Sequence, residues 1–161
     1  MGVAGCGKSS LAALLAKAES STLIEGDDYH STQSRAKMAA GVALTDADRD
    51  GWLSCLSELL QASPGGVVLT CSALKRVYRE RLRKAAPGLK FVFLEITPQQ
   101  ALARVTARAK NHFFSSNLVD SQFETLEEPT DEPDVLRLDA TAGLPQLQDA
   151  VLAWLKTKEI A

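Results

Sequence analysis

Apolar residues recur along the chain at helical spacing, then in short β-prone runs, and the two patterns alternate to the end. Leu11, Leu14 and Leu15 share one face of a helix predicted over 9–17. A short strand over 22–25 ends at Gly26-Asp27, and a polar helix over 33–40 stops at Gly41. Trp52, Leu53, Leu56, Leu59 and Leu60 mark a helix over 48–61, with Asp46 or Asp48 as its cap. Pro64-Gly65-Gly66 breaks it. The continuous run over 67–71 predicts a strand buried on both faces, and so does 91–96. Further helices are predicted over 76–84, 98–109, 118–126 and 144–158, with a last strand over 135–138.

Strands separated by helices imply a three-layer α/β/α domain around a parallel sheet. Four strands are predicted, and none precedes Gly2. All 161 residues fit one domain.

Composition narrows the function. Apolar residues make up 45% and charged residues 24%, which excludes a disordered chain. A formal net charge of −2 speaks against a dedicated nucleic-acid binder and leaves room for an anionic small ligand. Cys6, Cys55 and Cys71 show no CxxC spacing, and His30 and His112 lie far apart. A disulfide framework and a zinc site are therefore not expected. No apolar run is long enough for a bilayer and no leader pattern opens the chain, so the expectation is a cytoplasmic protein without membrane partners.

The strongest motif opens the chain. Residues 2–9, Gly-Val-Ala-Gly-Cys-Gly-Lys-Ser, fit G-x-x-x-x-G-K-[ST] at every fixed position. Glycines let the backbone curl so that its N–H groups point at phosphate oxygens. The following helix adds its N-terminal partial positive charge. Gly2, Gly5, Cys6, Gly7, Lys8, Ser9 and Ser10 are the expected nucleotide-binding residues, with Lys8 reaching the β- and γ-phosphates and the Ser9 hydroxyl ligating Mg²⁺. Such a loop normally follows a strand, and here only Met1 stands before it.

Other polar clusters fall at strand ends, where parallel α/β sheets bind ligands. Asp27 and His30 follow the first strand, Arg49 opens a helix, and Lys75 and Arg79 follow the second strand. Arg104 and Arg108 share a helix face that leads toward His112. A planar guanidinium suits a carboxylate, and an Arg near a transferring phosphoryl group neutralises its charge.

Taken together, these blocks resemble the gluconate kinase (gluconokinase) family of small P-loop kinases. The match runs in order through the loop, Gly26-Asp27 with His30, Lys37-Met38 with Gly41, and Leu44 with Asp46, Asp48 and Arg49. It continues through Trp52-Leu53, Cys71-Ser72-Ala73-Leu74-Lys75, Tyr78-Arg79, His112-Phe113-Phe114 and Ser121-Gln122-Phe123. The resemblance implies a nucleoside-monophosphate-kinase-like fold, with the first strand missing here and a lid around 109–122. It implies transfer of the ATP γ-phosphate to D-gluconate with Mg²⁺. Lys8, Asp27 and Arg108 would be catalytic, Arg104 and Arg108 would hold nucleotide, and Asp27, His30, Arg49, Lys75, Arg79 and His112 would hold the sugar acid. A homodimer is compatible with it. Departures are Ser31, Ser34 and Ala43, where the family usually has Pro, Asn and Pro, and Asn111 in place of Gly. A shikimate-like kinase and a shortened nucleotide-binding form without catalysis are the alternatives. The missing strand also predicts that residues 1–161 alone fold poorly or bind ATP weakly.

Overall fold

The computed structural model describes residues 1–63, 66–108 and 117–159. The chain runs α1 (Lys8–Ala18), β1 (Thr22–Glu25), a 3-10 turn (Gly26–Tyr29), α2 (Thr32–Ala39), α3 (Asp46–Gln61) and β2 (Val67–Thr70). It continues through α4 (Arg76–Ala85), β3 (Phe91–Glu95), α5 (Pro98–Arg108), α6 (Asn117–Thr125), β4 (Val135–Asp139) and α7 (Leu144–Glu159). Each predicted helix and strand is present within two residues of its expected ends. The start of α3 differs in its cap. Thr45, not Asp46 or Asp48, is the N-cap. Its hydroxyl accepts the Asp48 N–H at 3.2 Å, and the Asp48 carboxylate accepts the Thr45 N–H at 2.9 Å, a reciprocal box that satisfies two otherwise free donors.

The strands form two parallel pairs, β1–β2 in register Thr22↔Val67 to Glu25↔Thr70, and β3–β4 in register Phe91↔Val135 to Glu95↔Asp139. One apolar cluster joins the phosphate loop, α1, α5 and α7 through Val3, Leu11, Ala101 and Val151. A second joins α3 and α4 through Trp52, Leu56, Tyr78 and Leu82. Among the described residues, no helix is long and apolar enough to cross a membrane.

Between β2 and β3 the sheet is bridged only at one end. The Gly2 N–H donates to Ser72 O at 3.1 Å, the Leu94 N–H donates to Met1 O at 3.1 Å, and the Met1 amine donates to Val92 O at 2.5 Å. Below this bridge lies a cavity of about 430 Å³, walled by β2 and β3 and by Leu11, Leu15, Leu82 and Val151 from the helix layers. Burial lowers the Met1 amine from 8.0 to about 6, because a charged ammonium is poorly solvated there. A peptide N–H at the same point would donate to Val92 without carrying charge.

A five-residue apolar, β-branched segment fused to the Met1 amine is therefore expected to stabilise the fold. Two or three newly buried side chains contribute about 1.5–3 kcal/mol each. At about 2–4 °C per kcal/mol for a domain of this size, the thermal midpoint should rise by about 6 °C or more. Circular dichroism melts of this fusion and of a Gly-Ser fusion of equal length check it. An equal rise with both would show that the slot does not take a strand.

Candidate active site

The loop that precedes α1 needs glycine for two reasons. Gly5 and Gly7 have φ of 81° and 100°, a region that side-chain-bearing residues rarely adopt. A Cβ on Gly5 would also lie 2.8 Å from Ala101 O, and one on Gly2 would lie 2.9 Å from Leu94 O. The loop is thus pressed against α5 and β3. Lys8 folds back across it, its Nζ donating to Gly2 O at 2.9 Å and Val3 O at 3.0 Å. Arg104 approaches from α5, donating to Gly5 O at 3.4 Å and Ala140 O at 3.0 Å.

A cavity of about 220 Å³ opens beside this loop. Gly5, Gly7, Lys8, Ser9 and Ser10 line one side of it, and Asp27, His30 and Arg49 line another. The phosphate loop and three of the expected acceptor residues therefore share one space. Gly2 and Cys6 are not among its lining. The Cys6 side chain is buried in the core beside Gly2, leaving only backbone for a nucleotide.

Asp27 stands on the 3-10 turn with an exposed carboxylate. Its position is held from below by Trp52, whose Nε1–H donates to Gly26 O at 2.7 Å. A Cβ on Gly26 would lie 2.2 Å from Thr70 O, so no larger residue fits there. The His30 ring stacks on Trp52 at 4.3 Å between centroids and 15° between planes. Trp52, read from the sequence as a core residue, therefore both packs the core and floors the cavity.

Arg49 donates to Leu44 O. The two acids just before it in sequence, Asp46 and Asp48, have other cationic partners. Asp48 pairs with Lys37 at 2.6 Å, and the hydrogen bonds from Lys37 and Thr45 hold its carboxyl down at about 2. Both oxygens of Asp46 accept from Lys75 Nζ at 2.8 Å, and one also accepts from the Tyr78 hydroxyl. Burial and then the bond to Asp46 push that phenol up to about 12. Lys75 is thus held near Arg49, 5.8 Å from the Tyr78 ring that Arg49 faces at 6.0 Å, but it does not line the cavity.

Known proteins match the chain as a whole. The family model described as an AAA domain matches residues 1–133. A probable gluconokinase of Schizosaccharomyces pombe is 40% identical over 162 residues, covering 94% of this chain and 83% of that protein. The gluconokinase of Gluconobacter oxydans is 43% identical over 141 residues, covering 86% of this chain and 79% of its own. The chain belongs to the gluconokinase family. A solved gluconokinase structure from Sinorhizobium meliloti 1021 superposes with a TM-score of 0.89 at 42% identity, over 98% of this chain and 89% of that one.

Of the four departures from the gluconokinase pattern, Asn111 lies outside the described residues, and Ser31 and Ser34 are local to one helix start. Ser31 is the N-cap of α2 and accepts the Ser34 N–H at 3.1 Å, while the two hydroxyls lie 3.0 Å apart. Together they cap the start of α2. Ala43 is different, because it lines the cavity.

The expectation that Arg79 holds a substrate carboxylate is corrected by the structure. Arg79 is fully buried, and all five of its N–H groups are used inside the protein. Nε and one Nη donate to Glu132 at 2.9–3.0 and 2.5 Å, and that Nη also donates to Glu127 O at 2.9 Å. The other Nη donates to Ala73 O at 2.8 Å and Leu74 O at 2.9 Å. Arg83 joins the same acid at 2.8 Å. This cluster pins the segment after α6 onto α4. Arg108 has its side chain outside the described residues, and His112, Phe113, Phe114 and most of the lid segment lie outside them altogether.

Removing one partner of a buried ion pair strands the other, at a cost of about 3–5 kcal/mol. Arg79→Ala should lower stability by that amount in a urea titration, while the folded fraction keeps its gluconate dependence. Glu132 adds a pH signature. Burial alone would raise its carboxyl, but the bonds and charges of Arg79 and Arg83 outweigh burial and lower it below 4.5. Its stabilisation is therefore full above pH 4.5 and is lost as pH falls through the lowered folded value.

Two site residues were missed in the sequence. Glu25, at the end of β1, accepts from the Ser9 hydroxyl at 2.9 Å and from Thr70 at 2.6 Å. Gln122 on α6 accepts the Ala4 N–H of the phosphate loop at 2.6 Å and lines the cavity. The block Ser121-Gln122-Phe123 was a signal for the second; for Glu25 only an acid at a strand end was visible.

Proposed function

We propose that this chain transfers the γ-phosphoryl group of ATP to a hydroxyl of D-gluconate, giving 6-phospho-D-gluconate. The observation that carries this reading is the single cavity lined by both the phosphate loop and the Asp27–His30–Arg49 group. A phosphoryl donor and its acceptor must meet without water between them, and a shared cavity provides that.

Lys8 and the loop N–H groups hold the phosphates. The Ser9 hydroxyl, oriented by Glu25, offers the hard oxygen donor that Mg²⁺ takes from proteins in such sites, so the residues present fit that ion. When bound, Mg²⁺ neutralises charge on the β- and γ-phosphate oxygens. Asp27 accepts the proton of the attacking hydroxyl, Arg49 binds the carboxylate, and the His30 ring contacts the sugar hydroxyls. Lys75 adds positive charge at the same edge. Arg104 supports the loop from behind through Gly5, and the family resemblance assigns Arg108 to the phosphates and His112 to the sugar.

The test is ADP release from the purified chain with ATP and Mg²⁺, with gluconate, with shikimate and without acceptor, and with the product identified by a 6-phosphogluconate dehydrogenase assay. Gluconate-dependent release is expected. Release that prefers shikimate, or none with any acceptor despite nucleotide binding, would overturn the reading.

A further inference from the structure

His30 is a buried histidine with an uneven hydrogen-bonding environment. Its Nε2 lies 3.9 Å from the Asp27 carboxylate, close enough for an ion pair once the ring is charged. Its Nδ1 is buried and has no hydrogen-bond partner among the described residues. One ring face is covered by Trp52. In the neutral ring, the carboxylate favours the proton on Nε2 and leaves Nδ1 as a bare lone pair. Acidification then adds a proton at Nδ1, where nothing accepts it.

The charged groups around the ring divide. Asp27 on the same turn favours the cation. Arg35 on α2 and Arg49 on α3 oppose it, and Lys8 of α1 lines the same cavity. Arg35 is fixed nearby, with Nε donating to His30 O at 3.2 Å. Burial, the largest influence, outweighs Asp27 and lowers the ring below its ordinary value of 6.5, so His30 is neutral at pH 7.

We infer that His30 is a positioning residue that gates the base: neutral, it leaves the Asp27 carboxylate open to the acceptor hydroxyl; protonated, it pairs with that carboxylate and withdraws it. The inference rests on the proposed role of Asp27. The step is a plain protonation: at 3.9 Å the Nε2–H of the neutral ring makes no hydrogen bond to Asp27, and a solvent proton bound at Nδ1 gives the ring the charge that draws this N–H onto the carboxylate. No bond to carbon or phosphorus changes. The cation also adds positive charge to a cavity meant for an anion. Acid should therefore lower kcat without raising the gluconate KM.

Two measurements test this. The first reads kcat against pH, each protein normalised to its own plateau. The wild type should show an acid limb with its midpoint below 6.5. At that midpoint it runs at half its plateau, whereas His30→Asn, which cannot be charged, should still run near its own plateau. An unmoved limb in His30→Asn overturns the gate.

The second needs no substrate, so it separates failure of the gate from failure of the kinase reading. In a Trp154→Phe background, Trp52 is the sole tryptophan. A protonated imidazole stacked on it quenches its emission more than a neutral one does. Emission should fall on acidification below pH 6.5 with the midpoint of the kcat limb, and Asp27→Asn should move that midpoint lower by removing the group that favours the cation. Emission that does not titrate, or a midpoint unmoved in Asp27→Asn, overturns the pairing even if the enzyme is active.

Discussion

Lys8→Ala is expected to abolish phosphoryl transfer while leaving gluconate binding mostly intact. The Lys8 ammonium already sits across the loop, bonded to Gly2 and Val3 carbonyls, and lines the cavity beside Ser9. Charge that grows on the transferring phosphoryl oxygens must be met by a donor in place beforehand, and no other described lysine lines that cavity. Loss of one such donor typically costs about 10²–10³ in turnover. Here the loop also loses the internal brace that the ammonium provides, so the loss should exceed that range. Single-turnover assays with radiolabelled ATP measure the transfer, and isothermal titration with gluconate measures the acceptor side. Turnover within tenfold of wild type would remove the loop from the mechanism.

Asp27→Asn should cost turnover far more than folding. The amide nearly matches the carboxylate in shape, and the side chain is exposed, so the fold should be untouched. It cannot take a proton, and positioned acid–base groups contribute about 10²–10⁴-fold. The backbone beneath it will not shift to compensate, because Gly26 is clamped between Thr70 and the Trp52 indole. A fall of that size in kcat, with an unchanged thermal midpoint and ATP KM, is the expected result. Full turnover at saturating substrates would show that another group takes the proton.

Much of this site was visible before any coordinates. The phosphate loop is contiguous, its glycines answer to positive φ and its Lys8-Ser9 to phosphate chemistry, so eight letters suffice to read it. Asp27 and Arg49 were legible because a strand end and a helix start are themselves local events. The element order was legible for the same reason, since apolar spacing depends only on near neighbours. The cap of α3 lies one or three residues before the two expected acids, because Thr45, Asp46 and Asp48 all carry capping groups and the competition is settled by geometry rather than by residue type.

What only the tertiary structure decided concerns partners far apart in the chain. Arg79 reads as one basic residue among several on α4, and its fate depends on Glu132, 53 residues away, arriving at the same buried point. Glu25 gained a role only through Ser9 and Thr70, 16 and 45 residues distant. Gln122 reached the phosphate loop across 118 residues. By itself the sequence determined which chemistry the chain carries and the order of helices and strands to within two residues at their ends, because those follow from short-range stereochemistry. Which charges face the cavity and which are spent inside the protein was decided by packing, because a guanidinium or a carboxylate takes whichever partner the folded chain brings within about 3 Å.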